Sequence, residues 1–175
     1  LEIVGKPGLV YYGSTFTLSA TGGSGSSTVT WSSSNENIAH IDANGLVTIK
    51  GVGQATITAT KAGGGNYEEA TATYPLNALK KPVMATVTAD DKVYDGNTNA
   101  TIHVTWSGLV GDDAIDDAID ISGLSGAFED AAVGANKTVN ITTTTGSPIS
   151  SDKYDITIPS TTTASITKAT AAAPN

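Results

Sequence analysis

The sequence predicts an all-β protein, and three observations carry this prediction. Threonine, serine and glycine are abundant, with 27, 16 and 19 of the 175 residues. Threonine favours strands because its branched Cβ packs well on a pleated surface and restricts χ1 in a helix. Apolar and polar residues alternate with a period of two in many short runs, and glycine-rich turns separate these runs. Helical spacing is confined to residues 112–121, which are compatible with a short helical turn.

The first half of the chain contains a series of short predicted strands. Its alternating runs are residues 16–21, 28–32, 55–60 and 70–74. Residues 42–45, Asp-Ala-Asn-Gly, separate the runs 38–41 and 46–49, and Asn-Gly readily supplies the positive φ values of a tight hairpin. Trp31 lies on an alternating run, so we expect it in the core between two sheets.

The second half continues the same rhythm. Its alternating runs are residues 85–89, 102–106, 139–141, 156–158 and 164–166. Threonine occupies many of the alternate positions, which predicts antiparallel sheets with one solvated face. Trp106 is expected in the core of this half. In Tyr94-Asp95-Gly96 we expect the Asp95 carboxylate to accept backbone N–H bonds in a turn while Gly96 takes a positive φ.

A junction near Lys80 divides the chain into two predicted modules. Residues 79–82, Leu-Lys-Lys-Pro, interrupt the strand pattern, and proline cannot donate to a ladder. Residues 1–80 carry 4 lysines and 5 acids, net −1, whereas residues 81–175 carry 5 lysines and 12 acids, net −7. We predict tandem domains over 1–80 and 81–169, with a linker to a next module over 170–175, so that the chain is an internal fragment of a longer string.

The composition excludes several classes of function. Arginine is absent and the isoelectric point is about 4.4, which argues against a nucleic-acid partner, because binding to phosphates depends on arginine and lysine. No apolar run approaches the roughly 20 residues that span a bilayer, so neither membrane insertion nor a signal peptide is expected in this fragment. The chain has no cysteine, which excludes disulfides and thiolate chemistry and favours a bacterial surface or secreted module.

Two stretches resemble known families. Residues 28–60 contain Thr-Val-Thr-Trp-Ser-Ser-Ser-Asn and then a run from Ile38 to Thr60, and they are similar to the bacterial immunoglobulin-like domain, group 2. Residues 92–168 resemble the YDG domain of bacterial surface proteins. The matching parts are Lys-Val-Tyr-Asp-Gly-Asn-Thr at 92–98, residues 108–113, 126–130 and 133–139, and Tyr154. The chain departs from the YDG pattern at the inserted-looking residues 114–120 and again at 151–154.

These resemblances imply an immunoglobulin-like β-sandwich followed by a second small β-rich module. Both families imply modules strung along adhesins and cell-wall-anchored proteins, with no catalysis and no cofactor. We therefore expect a non-catalytic stalk or adhesion module at the bacterial cell surface or in the extracellular space. Its expected partners are neighbouring modules of the same chain and a host or matrix protein or glycan.

A cluster of carboxylates is the strongest candidate for a metal site. It consists of Asp112, Asp113, Asp116, Asp117 and Asp120. Calcium takes six to eight oxygen ligands, but the EF-hand spacing and its closing glutamate are missing here. The favoured interpretation is a solvated acidic loop, with a weak divalent-cation site as the alternative, and no metal ligand is assigned. His40 and His103 lie in different halves, and neither a zinc set nor a catalytic triad is indicated.

Three further alternatives remain open from the sequence. An isopeptide cross-link from Lys50 or Lys92 to an asparagine or aspartate is one, although no spacing identifies the partner. A carbohydrate-binding module is the second, with sugar rings stacked on exposed aromatic side chains; the candidates are Tyr11, Tyr12, Tyr74 and Trp106. The third is an accessory domain of a secreted hydrolase.

Overall fold

The protein folds as two compact units made of β-strands. The computed structural model describes residues 1–111, 113, 121–143 and 151–171. Contacts divide the chain into Leu1–Lys81 and Pro82–Asn175. All regular elements in the described ranges are strands, which confirms the all-β prediction, and no helix there is long and apolar enough to cross a membrane. The helical turn considered for residues 112–121 lies almost wholly outside the described residues.

The first unit contains nine strands in three sheets. The sheet orders are β1-β4, β2-β9-β8-β5 and β3-β7-β6. The strands are β1 (Glu2–Val4), β2 (Val10–Tyr11), β3 (Thr15–Thr17), β4 (Ser19–Thr21), β5 (Val29–Ser33), β6 (Ala39–Ile41), β7 (Leu46–Ile49), β8 (Gly53–Lys61) and β9 (Ala70–Leu79).

The core of the first unit is built from the apolar face of these strands. Leu18, Val47, Ile49 and Ile57 are almost completely buried in it. Trp31 packs against this cluster, as expected from its place on an alternating strand. Along β8 buried alanine and isoleucine alternate with partly exposed threonine, so the solvated threonine face predicted from the sequence is confirmed there.

The predicted hairpin at residues 42–45 joins β6 to β7. The two strands are antiparallel, with His40 opposite Thr48. Asp42 Oδ1 accepts the backbone N–H groups of Asn44 at 2.9 Å and Leu46 at 2.8 Å. The bond from the Leu46 N–H is the main cause that lowers the pKa of Asp42, because it favours the charged carboxylate.

The second unit contains two sheets within the described residues. Their orders are β13-β10-β16 and β11-β17-β15-β14-β12. The strands are β10 (Lys81–Ala89), β11 (Lys92–Val93), β12 (Asn99–Ala100), β13 (Ile102–Ser107), β14 (Leu124–Phe128), β15 (Gly134–Thr143), β16 (Tyr154–Thr157) and β17 (Thr161–Thr167).

The second core is separate from the first. Val87, Phe128, Val139 and Ile166 are buried in it, and Trp106 packs against it as expected. In several places the strands are longer than their sequence patterns. β9 and β10 leave only Lys80 between them, so the interruption expected over residues 79–82 is a single residue.

Candidate functional site

The motif Lys-Val-Tyr-Asp-Gly-Asn-Thr of the second unit forms a turn built around one lysine. Lys92 leads the run Lys-Val-Tyr-Asp-Gly-Asn-Thr, and its Nζ lies 2.8 Å from Asp95 Oδ1. The same Nζ donates to Asn97 O and Asn97 Oδ1, each at 2.9 Å, and to Asn99 O at 3.1 Å. One ammonium group therefore holds the residues from 95 to 99 together. We call residues 92–99 the lysine-centred turn.

Electrostatics and side-chain bonds reinforce this turn. Asp95 Oδ1 also accepts the N–H of Asn97 at 3.1 Å, as the sequence predicted for this carboxylate. The hydrogen bond from Lys92 is the main cause that lowers the pKa of Asp95. Gly96 has a φ of +80°, so the predicted left-handed position is confirmed. The tyrosine of the motif, Tyr94, is exposed and takes no part in the network around the ammonium.

The Lys92 side chain is largely shielded from water. It is 17% exposed, and its Nζ lies 5.6 Å from the centre of the buried Phe128 ring. A charge-assisted hydrogen bond is stronger than a neutral one, and shielding from solvent strengthens it further. Beside it lies an open cleft of about 430 Å³ that is lined by Asp90, Asp91 and Asp95 among others.

The lysine-centred turn is also bonded to the last strand of the unit. β11 pairs in parallel with β17, with Lys92 opposite Ile166 and Val93 opposite Thr167. The Tyr94 N–H then donates to Thr167 O at 2.8 Å. The turn therefore connects the beginning of the unit with its end.

A second lysine and aspartate pair organises the turn between β14 and β15. Lys137 Nζ lies 2.7 Å from Asp130 Oδ1, and the lysine side chain is only 10% exposed. The lysine is the main cause that lowers the pKa of Asp130, and the N–H of Ala132 contributes as well. Lys137 is in phase with the buried Val139 and Ile141, so it lies on the core-facing side of β15, but no local sequence pattern indicated Asp130 as its partner.

The predicted acidic cluster is mostly outside the described residues. Only Asp113 is described, while Asp112, Asp116, Asp117 and Asp120 are not. Asp113 Oδ2 accepts the Tyr154 hydroxyl at 2.5 Å, and its Oδ1 lies 3.1 Å from Lys153 Nζ. In the described part of the chain no group of three or more histidines and carboxylates is placed to hold a metal. The calcium alternative therefore stays a prediction.

Each histidine pairs with a carboxylate of its own unit. His40 Nδ1 lies 2.5 Å from Glu36 Oε2, and His103 Nε2 lies 3.0 Å from Asp90 Oδ2. All four side chains are substantially exposed to solvent. Such exposed pairs contribute little to stability.

The aromatic side chains proposed for sugar stacking differ in exposure. Tyr12 is buried, and Trp106 packs against the second core. Tyr74 is half-buried, and burial raises the pKa of its hydroxyl. Tyr11 is half-buried at the end of β2. The most exposed aromatic rings, Tyr67 and Tyr94, were not among the candidates for sugar stacking.

The structure identifies a neighbour for one of the isopeptide candidates. Lys92 Nζ contacts Asn97 Oδ1, whereas Lys50 is exposed. Lys92 Nζ also contacts Asn97 O, Asn99 O and Asp95 Oδ1, so Asn97 and Asp95 are the side chains placed next to this lysine. The cross-link stays a prediction that the intact mass of the chain tests, because its formation releases ammonia from an asparagine or water from an aspartate.

Two family models match this sequence. The YDG domain model matches residues 79–172, which is more than half of the chain. The model of the intimin immunoglobulin-like domain matches residues 11–63. The two resemblances found from the sequence, a bacterial immunoglobulin-like domain followed by a YDG-type domain, are confirmed by these matches, and the first is matched under the intimin name.

One solved structure with a similar sequence is an intimin mutant from EHEC O157:H7. It is 30% identical, the match covers 55% of this chain and 48% of the other, and the TM-score is 0.35. The chain thus spans about half the length of that structure. No curated protein matches the chain.

Proposed function

Since the chain belongs to the YDG domain family, we propose that it is a non-catalytic stalk or adhesion module of a bacterial cell-surface or secreted protein. Residues 1–80 and 81–169 would be its two domains. The immunoglobulin-like match in the first unit supports the same assignment, because both families are those of surface-protein modules. The module would space or display a binding region, and its location would be extracellular.

One observation carries this proposal: the motif that identifies the family is occupied with holding the fold. The charged group of Lys92 is bound by Asp95, Asn97 and Asn99, and the backbone beside it is bonded to Thr167. A catalytic group instead requires access to a substrate and a geometry that leaves it free to react. The motif is therefore best explained as a device that fixes one strand and one turn.

The stalk function can be tested by display on a surface. A small binding domain of known target would be fixed to polymer-coated beads through this chain, through a short Gly-Ser linker, and through a Gly-Ser linker of 175 residues. We expect the folded chain to capture more target than either linker, because it would carry the tip above the polymer layer. Equal capture by the chain and the short linker would contradict a spacer.

Direct binding is the second arm of the same test. Beads that carry the chain without a tip would be screened against host cells, matrix proteins and a glycan array. A ligand found here would identify the module as an adhesive one, with a host or matrix protein or a glycan as partner. The carbohydrate-binding alternative requires exposed rings. The burial of Tyr12 and the packing of Trp106 remove these two candidates, while Tyr67 and Tyr94 are exposed, so the glycan array decides.

A further inference from the structure

In both units the second strand in the chain pairs in parallel with the last strand. β2 pairs with β9 through Val10 opposite Ala78 and Tyr11 opposite Leu79. β11 pairs with β17 through Lys92 opposite Ile166 and through Val93 opposite Thr167. The backbone pairing extends by one residue in each unit. The Tyr12 N–H donates to Leu79 O at 2.9 Å, and the Tyr94 N–H donates to Thr167 O at 2.8 Å.

This arrangement determines how tension acts on each unit. Tension applied just before an early strand and just after the last strand draws the early strand backwards and the last strand forwards. If the two are parallel neighbours, they slide along one another, and all the bonds between them are loaded together. An antiparallel hairpin opened from one end instead loses its bonds one after another. A parallel bridge between early and last strands is therefore the arrangement that resists pulling.

Side chains strengthen the bridge in the second unit. Thr167 Oγ1 donates to Lys92 O at 3.3 Å, and Asp91 Oδ1 accepts the Ser165 N–H at 2.6 Å. Both bonds join the β11 segment to β17. They add to the backbone bonds and must break when the two strands slide.

Lys92 attaches β11 to the unit on its other side. Its Nζ binds Asn99 O, and Asn99 begins β12, which pairs with β14. A β11 strand drawn backwards would therefore have to pull the ammonium away from Asp95, Asn97 and Asn99 together. β11 has only two residues, Lys92 and Val93. The contacts of the Lys92 ammonium are therefore a large share of the bonds that hold this strand.

We propose that Lys92 is a mechanical latch that keeps β11 fixed while the last strand, β17, is under load. The proposal deepens the stalk function and takes its biological meaning from it. The force that the latch resists can nevertheless be measured without any surface or ligand. A negative result in the display experiment would therefore not contradict the latch. A negative result in the pulling experiment would not contradict the stalk function.

The test is single-molecule pulling of the whole chain through two introduced cysteines. Because the chain has no cysteine of its own, Asp90→Cys and Lys168→Cys give unique attachment points. Residue 90 lies just before β11 and residue 168 just after β17. The force therefore acts on the parallel pair directly and does not first detach β10. We expect Lys92→Met to unfold about tenfold faster at constant force than the parent, because several bonds to a charged group are lost.

Lys137→Met is the matched control. It removes a lysine that is similarly shielded and has a similar contact with an aspartate, but the contact joins β15 to the preceding turn. We expect it to change the unfolding rate under force much less than Lys92→Met, although both lower stability in denaturant. An unchanged rate for Lys92→Met, or equal acceleration by the two variants, would overturn the latch. If Lys92→Met fails to fold, Asp95→Asn takes its place, with a smaller acceleration expected and the same overturning outcomes.

Discussion

Three aspartates in three different turns accept a backbone N–H from the residue two places further along the chain. The donors are Asn44 for Asp42 at 2.9 Å, Asn97 for Asp95 at 3.1 Å and Ala132 for Asp130 at 2.7 Å. Aspartate favours turns because its short carboxylate can replace a backbone acceptor in this way. These residues therefore fix turn geometry, and their charges are part of the fold.

The three carboxylates predict how acid acts on the protein. Their pKa values lie below the ordinary 3.8 in the folded state. A lowered folded pKa contributes stability above the unfolded value, and this contribution is lost as the pH falls through the folded value. We expect denaturant midpoints to be unaffected by these groups between about pH 7 and pH 5, and to fall below about pH 4.

The two tryptophans allow this to be assigned unit by unit. Fluorescence of Trp106 in a Trp31→Phe background follows the second unit, in which Asp95 lies. Asp95→Asn should be less stable than the parent at neutral pH and should lose less stability in acid. A variant with the same loss of stability in acid as the parent would contradict the role given to this carboxylate.

Gly45 is a position where a side chain would be doubly unfavourable. Its φ is +83°, and an added Cβ would lie 2.3 Å from Leu18 O. We expect Gly45→Ala to cost about 3 kcal/mol, from left-handed strain and from displaced backbone. Gly65 has a φ of +61° with open space around its Cβ position, so Gly65→Ala should cost about 1 kcal/mol.

Denaturant unfolding monitored by Trp31 in a Trp106→Phe background compares these two variants in the same unit. Equal losses would show that the contact with Leu18 O relaxes without cost. The Asn-Gly pair was sufficient to predict this hairpin from the sequence. The contact with Leu18 was not predictable, since it joins the turn before β7 to a residue far from it in sequence.

At the level of elements, β15 shows why strand lengths were underestimated. Alternation in the sequence is clear only over residues 139–141, but β15 runs from Gly134 to Thr143. Its pairing with β17 shifts register between Gly134 and Lys137, and Asn136 there has a φ of +51°. An extra residue in a strand breaks the period of two, so a bulge hides a strand from pattern analysis.

The bulge leads to a prediction for Asn136. Asparagine tolerates the left-handed region, whereas a β-branched residue does not. We expect Asn136→Val to cost about 1–2 kcal/mol and Asn136→Gly to be close to neutral. Asn140→Val, in the regular and exposed part of β15, is the control and should have little effect. Trp106 fluorescence in denaturant measures all three, and equal losses for both valine variants would argue against strain at the bulge.

β9 shows how a proline is tolerated inside a long strand. Pro75 lies opposite Thr56 of β8, but β2 pairs with β9 only at Ala78 and Leu79. β9 thus has one partner at Pro75, and a missing N–H on the open side costs nothing. From the sequence alone, the proline would indicate a break in the strand. The strand continues because β2 is short and does not reach Pro75, where a backbone N–H would otherwise be needed.

At the level of the whole molecule, the all-β class and both family resemblances were predictable because they depend on local patterns. Alternating threonine, turn residues and the run that contains Tyr-Asp-Gly are all read along the chain. The oxygen ligands of Lys92 and the pairing of Lys137 with Asp130 were not predictable in the same way. They depend on the packing of neighbouring strands, which no local period records.

The negative charge of the molecule is concentrated in the second half. A measurement with calcium tests whether the carboxylates there bind a cation. A melting scan with excess calcium and one with a chelator would be compared. We expect equal midpoints, because the favoured interpretation of the cluster from Asp112 to Asp120 is a solvated loop. A higher midpoint with calcium would show selective binding to the folded state and would replace that interpretation with a cation site.

The hairpin at residues 42–45 also bears on the chemical lifetime of the protein. Asn-Gly is prone to lose its side-chain amide, because the glycine N–H is unshielded and can attack the asparagine side chain. In the folded chain the Gly45 N–H donates to Asp42 O at 3.1 Å, and the Asn44 N–H donates to Asp42 Oδ1. The attacking nitrogen is thereby held in a fixed turn. We therefore expect deamidation at Asn44 to be slower in the folded chain than in the unfolded chain, so that deamidated molecules would be those that have spent time unfolded.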